Sequence, residues 1–324
     1  MILDEIQYTP QLLPLIKKRI DEERTPGRWI LTGSQQFQLM QNITESLAGR
    51  VAVFTLLPFS LGEFVSARKE FSLGEWIFTG GYPEVVVRRE LDVRLWMNSY
   101  IQTYLERDVR NLRNIGDLQQ FQRFLKLIAA RSSRVLNYSE ISRDAGITVP
   151  TVKQWISVLQ AGQLIALIPP YYRNVGKRLI KSPKVYLLDT GLMAALLGYR
   201  SGEEILNGPL AGAFFETALV SEFYKSFYHL GQSPAIYFWR TRTGHEVDVL
   251  IERNGKLLAF EIKLTATPTP VHQRPLTQLR EILGPDTLEQ MALVCTVSRR
   301  LPLPGGMTAL PWKEVPTFIQ TYLK

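Results

Sequence analysis

The chain is 324 residues long, 45% hydrophobic and 21% charged, with a formal net charge of +8 and a single cysteine. Hydrophobic cores split beyond ~250–300 residues, so two or three domains are expected. No apolar run reaches the ~18 residues of a membrane span, residues 1–5 show no secretory pattern, and lone Cys295 excludes an intramolecular disulfide, so a cytoplasmic protein is expected.

Residues 1–7 read as an apolar strand ending in Asp4 and Glu5, which resembles a Walker B motif. That resemblance implies that Asp4 holds Mg²⁺ and Glu5 orients water. Residues 28–35 give a second short strand ending in Ser34, as in a sensor strand. Residues 47–50 then supply Arg50 as a phosphate-sensing arginine before a strand over 51–57. No G-x-x-x-x-G-K-[ST] occurs, so the backbone amides and lysine that cradle phosphates are missing. Poor nucleotide affinity follows, and ATP is expected as a cofactor only if a Walker A segment lies upstream.

Residues 91–112 carry apolar side chains at helical spacing and read as a long amphipathic connecting helix, with Glu106 and Asp108 paired to arginines. Residues 137–145 predict a short helix capped by Ser139 and stopped by Gly146. Thr148 or Pro150 opens a second helix over 148–160, giving a helix-turn-helix. Strands at 163–168 and 184–188 then resemble the wing of a winged helix. Thr151, Lys153 and Gln154 sit where a recognition helix meets the major groove.

No acidic residue lies between Asp144 and Asp189, while Lys153, Arg173, Lys177, Arg178, Lys181 and Lys184 add six positive charges. Clustered base of this kind reads as a footprint for nucleic acid, the wing bases Arg173, Lys177, Arg178, Lys181 and Lys184 touching phosphates. A solvated face is the plainer alternative, as is a winged helix serving a protein partner or a homo-oligomer. Val152, Trp155, Ile156 and Leu159 read as core, and Asp189 with Thr190 reads as a helix cap.

Asn254-Gly255 separates two alternating apolar runs, the strongest short-range hairpin signal. Counting outward from a two-residue turn pairs Arg253 with Lys256, Asp248 with Glu261 and Glu246 with Lys263. Val247, Val249, Ile251, Leu258, Phe260 and Ile262 share the other, greasy face. Opposed like charges destabilise a sheet unless something neutralises them, and a hard cation held by Asp248 and Glu261 is the simplest neutraliser. A sheet with one wet face is the plainer reading. Cys295, in an apolar run, reads as a buried small hydrophobe, and residues 265–270 as a flexible loop beside the proposed metal face.

Asp248 with Glu261-Ile262-Lys263 resembles the PD-(D/E)xK signature of restriction-endonuclease-like domains, and Glu216 resembles the acidic residue of their first helix. The resemblance implies Mg²⁺ on Asp248 and Glu261, and Lys263 acting on the attacking water or the phosphate. Over nearly its whole length, the chain resembles prokaryotic AAA-type ATPases whose C-terminal half is a domain of unknown function, DUF4143. Residues 3–7, 31–34, 47–50, 80–84, 104–109, 184–192, 246–248 and 261–263 carry that resemblance.

Relatives of that kind hold Walker A in an additional N-terminal segment, so this chain is expected to be truncated, begun at a late methionine, or degenerate. The expected architecture is a multidomain α/β chain. Residues 1–64 form part of a P-loop ATPase domain, 65–116 a helical connector, 117–190 a winged helix and 191–324 a nuclease-like domain. The expected function is a DNA-associated, Mg²⁺-dependent nuclease. The alternatives are a non-catalytic nucleic-acid-binding or regulatory protein, and an ATPase whose Walker A lies upstream.

Overall fold

The computed structural model describes residues 1–33, 47–105, 118–172, 181–241 and 243–323. At the N-terminus β1 (Ile2–Leu3) and β2 (Ile30–Leu31) pair in parallel. Helix α1 (Leu12–Glu22) packs Leu13 and Ile16 against Ile6 and Leu47 in a small separate core. The strand expected over 51–57 does not form. Those residues find no partner strand among the described residues, and Phe54 and Leu56 stand in solvent.

Four short helices follow: α2 (Leu61–Ala67), α3 (Leu73–Thr79), α4 (Pro83–Val87) and α5 (Val93–Tyr100). Ser60 and Glu63 close a capping box on α2, and Asp92 caps α5 through the amides of Arg94 and Leu95. The connecting helix expected over 91–112 appears as α5 continued by a π-helical turn, Ile101–Leu105. Glu106 and Asp108 lie outside the described residues.

Helices α6 (Leu118–Ala130), α7 (Tyr138–Ala145) and α8 (Val149–Ala161) pack around Trp155, whose ring meets those of Phe121 and Phe124 edge to face. Left-handed Gly146 ends α7, and Thr148 caps α8 by accepting from the Thr151 amide. Asn137, not Ser139, caps α7. It sits in extended backbone, from which its side chain accepts from the Glu140 amide, whereas Ser139 is already helical. Strands β3 (Arg134–Val135), β4 (Ile165–Ile168) and β5 (Lys184–Leu187) form an antiparallel sheet with β5 in the middle.

After β5 come α9 (Thr190–Leu197), α10 (Gly202–Asn207) and the long α11 (Ala211–Tyr228). Polar contacts stitch the β5 region to α11. Ser132 Oγ accepts from the Leu187 amide and lies 2.8 Å from Thr217 Oγ1, while Ser221 Oγ donates to the Leu188 carbonyl. Apolar residues from Leu61 to Leu323 therefore share one continuous core.

The C-terminal region is a six-stranded mixed sheet. Its strands are β6 (Ile236–Arg240), β7 (Glu246–Arg253), β8 (Lys256–Ile262), β9 (Leu288–Cys295), β10 (Leu301–Leu303) and β11 (Met307–Pro311), in the order β10-β11-β9-β8-β7-β6. Strands β6, β7 and β8 run antiparallel, and β9 joins β8 in parallel. Helix α12 (Pro270–Leu283) covers one face; α11 and α13 (Val315–Leu323) cover the other.

The β7–β8 turn is as its sequence predicts, with Asn254 at φ 50°, Gly255 at φ 75° and Arg253 facing Lys256. Two expectations fail beside it. The second face of the hairpin is not wet, because Leu250, Leu257 and Ala259 pack beneath Leu276 and Leu279 of α12. Val247 joins that second face, away from Val249 and Ile251, because β7 carries one extra residue where β6 runs from Tyr237 to Trp239. Only the end of the hairpin is left for polar side chains.

Candidate active site at the end of the hairpin

Asp248 lies at the bulged part of β7, and its Oδ2 accepts from the Ile262 amide at 2.9 Å. The ladder from Arg253–Lys256 to Val249–Phe260 brings Asp248 level with Glu261. Lys263, just past β8, reaches both acids: its Nζ is 2.6 Å from Glu261 Oε1 and 3.6 Å from Asp248 Oδ2. Glu261 Oε2 is buried with no hydrogen-bond partner.

Glu216 enters from α11, accepting from the Tyr186 hydroxyl at 2.6 Å and from Lys184 Nζ at 3.0 Å. The same ammonium pairs with Glu246 Oε1 and lies 3.6 Å from Asp248 Oδ1. Asp248 thus lies between two lysines. Arg240, half in solvent, approaches Glu246 Oε2 from the rim at 3.6 Å. The four residues of the expected nuclease-like set, Asp248, Glu261, Lys263 and Glu216, stand in one cluster.

Burial, with the charge of Asp248 adding to it, pushes the Glu216 carboxyl up to about 7 against the opposing pull of Lys184 and Tyr186. Burial and Asp248 likewise push Glu261 well above the usual carboxylate range, with Lys263 opposing. For Lys184, burial favours the neutral amine, but Tyr186, Glu216, Asp248 and Glu246 outweigh it and keep the ammonium. Lys263 is held charged in the same way by Asp248 and Glu261. Four carboxylates face the ammoniums of Lys184 and Lys263 and, at the rim, the Arg240 guanidinium, an excess of one negative charge when all are ionised.

A divalent cation fits this donor set on two counts, the negative excess and the orphaned Glu261 Oε2. Among the described residues no three His, Cys, Asp or Glu side chains form a ready cage. Two carboxylates completed by water are the kind of set that Mg²⁺ accepts.

Lys184 departs furthest from expectation. Read from the sequence as a wing residue touching phosphates, it is only 2% exposed, because β5 is the central strand and is pressed onto α11. The expected Glu246–Lys263 pair does not form; Glu246 turns to Lys184 and Arg240, and Lys263 to Glu261 and Asp248. Lys153 and Lys181 are exposed, with the Lys153 ammonium 5.7 Å from the Tyr138 ring. Thr151 Oγ1 lies 2.9 Å from Thr148 Oγ1, and Gln154 is half-buried. Arg173, Lys177 and Arg178 lie outside the described residues.

At the N-terminus Asp4 accepts from the Thr32 hydroxyl and the Glu5 amide, and left-handed Glu5 (φ 51°) accepts from the Gln7 amide group. Arg50 is bound to Asp21 at 2.7 Å, so its guanidinium is engaged within the chain. Ser34 lies outside the described residues.

A second buried polar cluster joins the helices of 57–81 to α9 and α11. Asp189 caps α9 by accepting from the Leu192 amide through Oδ1, as its position predicts, and accepts from the Gly81 amide through Oδ2. Glu222 Oε2 accepts from the Leu61 amide at 2.7 Å and Oε1 from Lys225 Nζ at 3.1 Å, while Lys225 also donates to the Phe59 carbonyl. A Cβ on Gly80 would overlap the Asp189 carboxylate, and one on Gly191 would lie 2.6 Å from the Thr79 carbonyl oxygen.

Three family models match the chain. Residues 1–65 match an AAA domain, 70–203 a domain of unknown function (DUF8612) and 211–315 a second one (DUF4143). The chain thus carries an AAA-family segment followed by a DUF4143 domain. The stretches at 80–84, 104–109 and 184–192, which carry part of the whole-chain resemblance, fall within the DUF8612 match.

Uncharacterized proteins of Mycobacterium bovis and Mycobacterium tuberculosis are each 28% identical to the chain over 315 residues, covering 97% of it and 69% of their own length. No solved structure matches. Among the described residues no helix is long and apolar enough to cross a membrane.

Proposed function

We propose that the chain is a nucleic-acid-associated protein whose C-terminal domain cleaves phosphodiesters with a divalent cation held by Asp248 and Glu261. The observation that carries this reading is the buried, partnerless Glu261 Oε2 beside an excess of negative charge. The element order of α11, three antiparallel strands, α12 and parallel β9 supports the nuclease-like reading, and α6, α7 and α8 with a three-stranded sheet support a winged helix beside it.

When bound, Mg²⁺ would supply a Lewis acid for the phosphate and a more acidic water. The chain's own groups do the rest. Lys263, partly exposed, points its ammonium into the acid pair and is placed to steady phosphate charge. The Ile262 amide fixes Asp248. Exposed Lys153 and Lys181 offer phosphate contacts on the neighbouring module.

The test is plasmid cleavage with Mg²⁺ or Mn²⁺ by the parent, Asp248→Ala and Lys263→Ala proteins. Both variants are expected to lose at least about 100-fold, the scale of a positioned acid–base or metal contribution. Equal cleavage by all three assigns the activity to a contaminant and removes this reading. A non-catalytic nucleic-acid-binding role is favoured by one observation, that Lys263 Nζ pairs with both acids and so offsets part of their charge. Nucleic-acid binding without cleavage in the same assay selects it. Neither reading calls on ATP.

A further inference from the structure

Lys184 belongs to the three-stranded sheet by its backbone and to the C-terminal domain by its side chain. Its main chain pairs with Val135 and Ile168. Its side chain is 3% exposed and ends among carboxylates from α11 and β7, all reached from outside their own domain. The Phe238 and Tyr186 rings flank the ammonium at 5.6 and 6.0 Å. The approach is held in place twice, by the Ser132 and Ser221 hydrogen bonds to α11 and by the pairing of Pro170 with Phe238 on β6.

The chemistry of that position is unusual. Three carboxylate oxygens, from Glu216, Glu246 and Asp248, gather around one point, and the group at that point is a fixed monovalent cation. Asp248 presents Oδ1 to this point and Oδ2 to the Lys263 side, so the two positions share one ligand. The arrangement is similar to a two-cation carboxylate centre with one place taken by the ammonium, although the three side chains as they stand are not spaced as a ready metal cage.

We infer that Lys184 is a built-in cation, lent by the preceding module, that fills a second cation place between Glu216, Glu246 and Asp248 and leaves the centre room for a single divalent ion. The inference rests on the nuclease-like reading only for where that single ion binds. The centre is therefore composite, and the C-terminal domain lacks one of its charges without the 118–187 module. The ammonium also works as a positioning group, since it fixes Asp248 from the side opposite Lys263.

The test counts Mn²⁺ bound per full-length chain, by electron paramagnetic resonance of free Mn²⁺, in the parent, Lys184→Met and Lys184→Arg proteins. Methionine keeps much of the length and removes the charge. Lys184→Met is expected to bind one more ion than the parent, and Lys184→Arg the same number as the parent. An unchanged count in a folded Lys184→Met protein overturns the inference. Should Lys184→Met be unfolded without metal, recovery of its circular dichroism with Mn²⁺ but not with Na⁺ at equal ionic strength supports it. A variant that stays unfolded with Mn²⁺ overturns it, because the place would then require lysine's shape and not a cation's charge. The parent's own count tests Asp248 and Glu261 separately: a parent that binds none sinks the metal reading, while the difference between parent and variant still decides the role of Lys184.

Discussion

Two buried clusters of acids and lysines meet on α11, at Glu216 and, six residues further along, at Glu222, and they differ in how completely their atoms are used. Around Asp189, Glu222 and Lys225, each carboxylate oxygen meets an amide or an ammonium, and the lysine spends a further bond on the Phe59 carbonyl. Around Glu216, Lys184, Glu246, Asp248, Lys263 and Glu261, the acids outnumber the lysines, one buried oxygen meets nothing, and Lys263 is 41% exposed. Buried polar groups are normally satisfied, so a saturated cluster needs no ligand to explain it. The first is a joint. The second carries unused bonding capacity beside solvent, the signature expected of a site.

The sharpest contrast is in what removal of one acid does. Glu222→Ala strands the Lys225 ammonium in the core and is expected to cost about 3–5 kcal/mol in urea unfolding. Replacing both partners with apolar residues removes the stranded charge but leaves the Leu61 amide and the Phe59 carbonyl unpaired, so only part of the loss should be recovered. Glu261→Gln should cost far less, since Lys263 can turn to solvent, yet it should weaken Mn²⁺ binding at least about tenfold by removing a charged ligand, about 1.4 kcal/mol. If Glu261→Gln proves the more destabilising of the two, the division into joint and site fails.

Next in size is Gly80→Ala. Gly80 has φ 69° and ψ −159°, a region nearly closed to other residues, and an added Cβ meets the Asp189 carboxylate. A loss of about 2–4 kcal/mol is expected, read as a lower urea midpoint with an unchanged slope and unchanged Mn²⁺ binding. A change in Mn²⁺ affinity without loss of stability would instead move this joint into the functional machinery.

A smaller effect, from the second cluster, is a pH dependence. Glu216 is packed against Lys184 and Tyr186 of β5 and against Asp248 of β7, with its carboxyl raised from 4.5 to about 7. Between those values the folded chain binds more protons at Glu216 than the unfolded chain does. Its contribution to stability therefore falls as pH rises from 4.5 to about 7, by at most about 3 kcal/mol, and is flat above that. Unfolding in urea with a chelator present should show this decline in the parent and a smaller one in Glu216→Gln, where the raised Glu261 carboxyl remains. A stability that rises through this window in the parent and is unaltered by Glu216→Gln rules the burial argument out.

How much of this was legible in the sequence follows the range of the interactions. The Asn254-Gly255 turn, the Thr148 cap and the Asp189 cap depend on residues within a few positions of each other, and each was readable. The meeting of Asp248, Glu261 and Lys263 was readable for the same reason, through hairpin register. Lys184 was not. Its partners lie 32, 62 and 64 positions away, and from charge alone a lysine in an acid-free stretch looks like a phosphate contact. One signal was available: Lys184 heads an apolar strand that is buried at every position, and a charge there requires partners. The covering of the second sheet face by α12 was equally hidden, since Leu250, Leu257 and Ala259 are buried by Leu276 and Leu279 from a separate element further along the chain.

The smallest effect separates Lys184 from the residues it was grouped with. Each phosphate neutralised on duplex DNA contributes about −0.9 to the slope of log K against log salt. Six basic residues between Asp144 and Asp189 would allow a slope as steep as about −5.4, but burial of Lys184 in the acid cluster withdraws one and sets a limit of about −4.5. Lys181→Ala, on an exposed side chain, should make the slope shallower by about 0.9, because it removes one released counterion. A parent slope steeper than −4.5, unaffected by Lys181→Ala, would mean that this segment does not carry the contacts. A flat salt dependence would leave the second cluster without a polyanion delivered to it, and the comparison would then separate two structural joints.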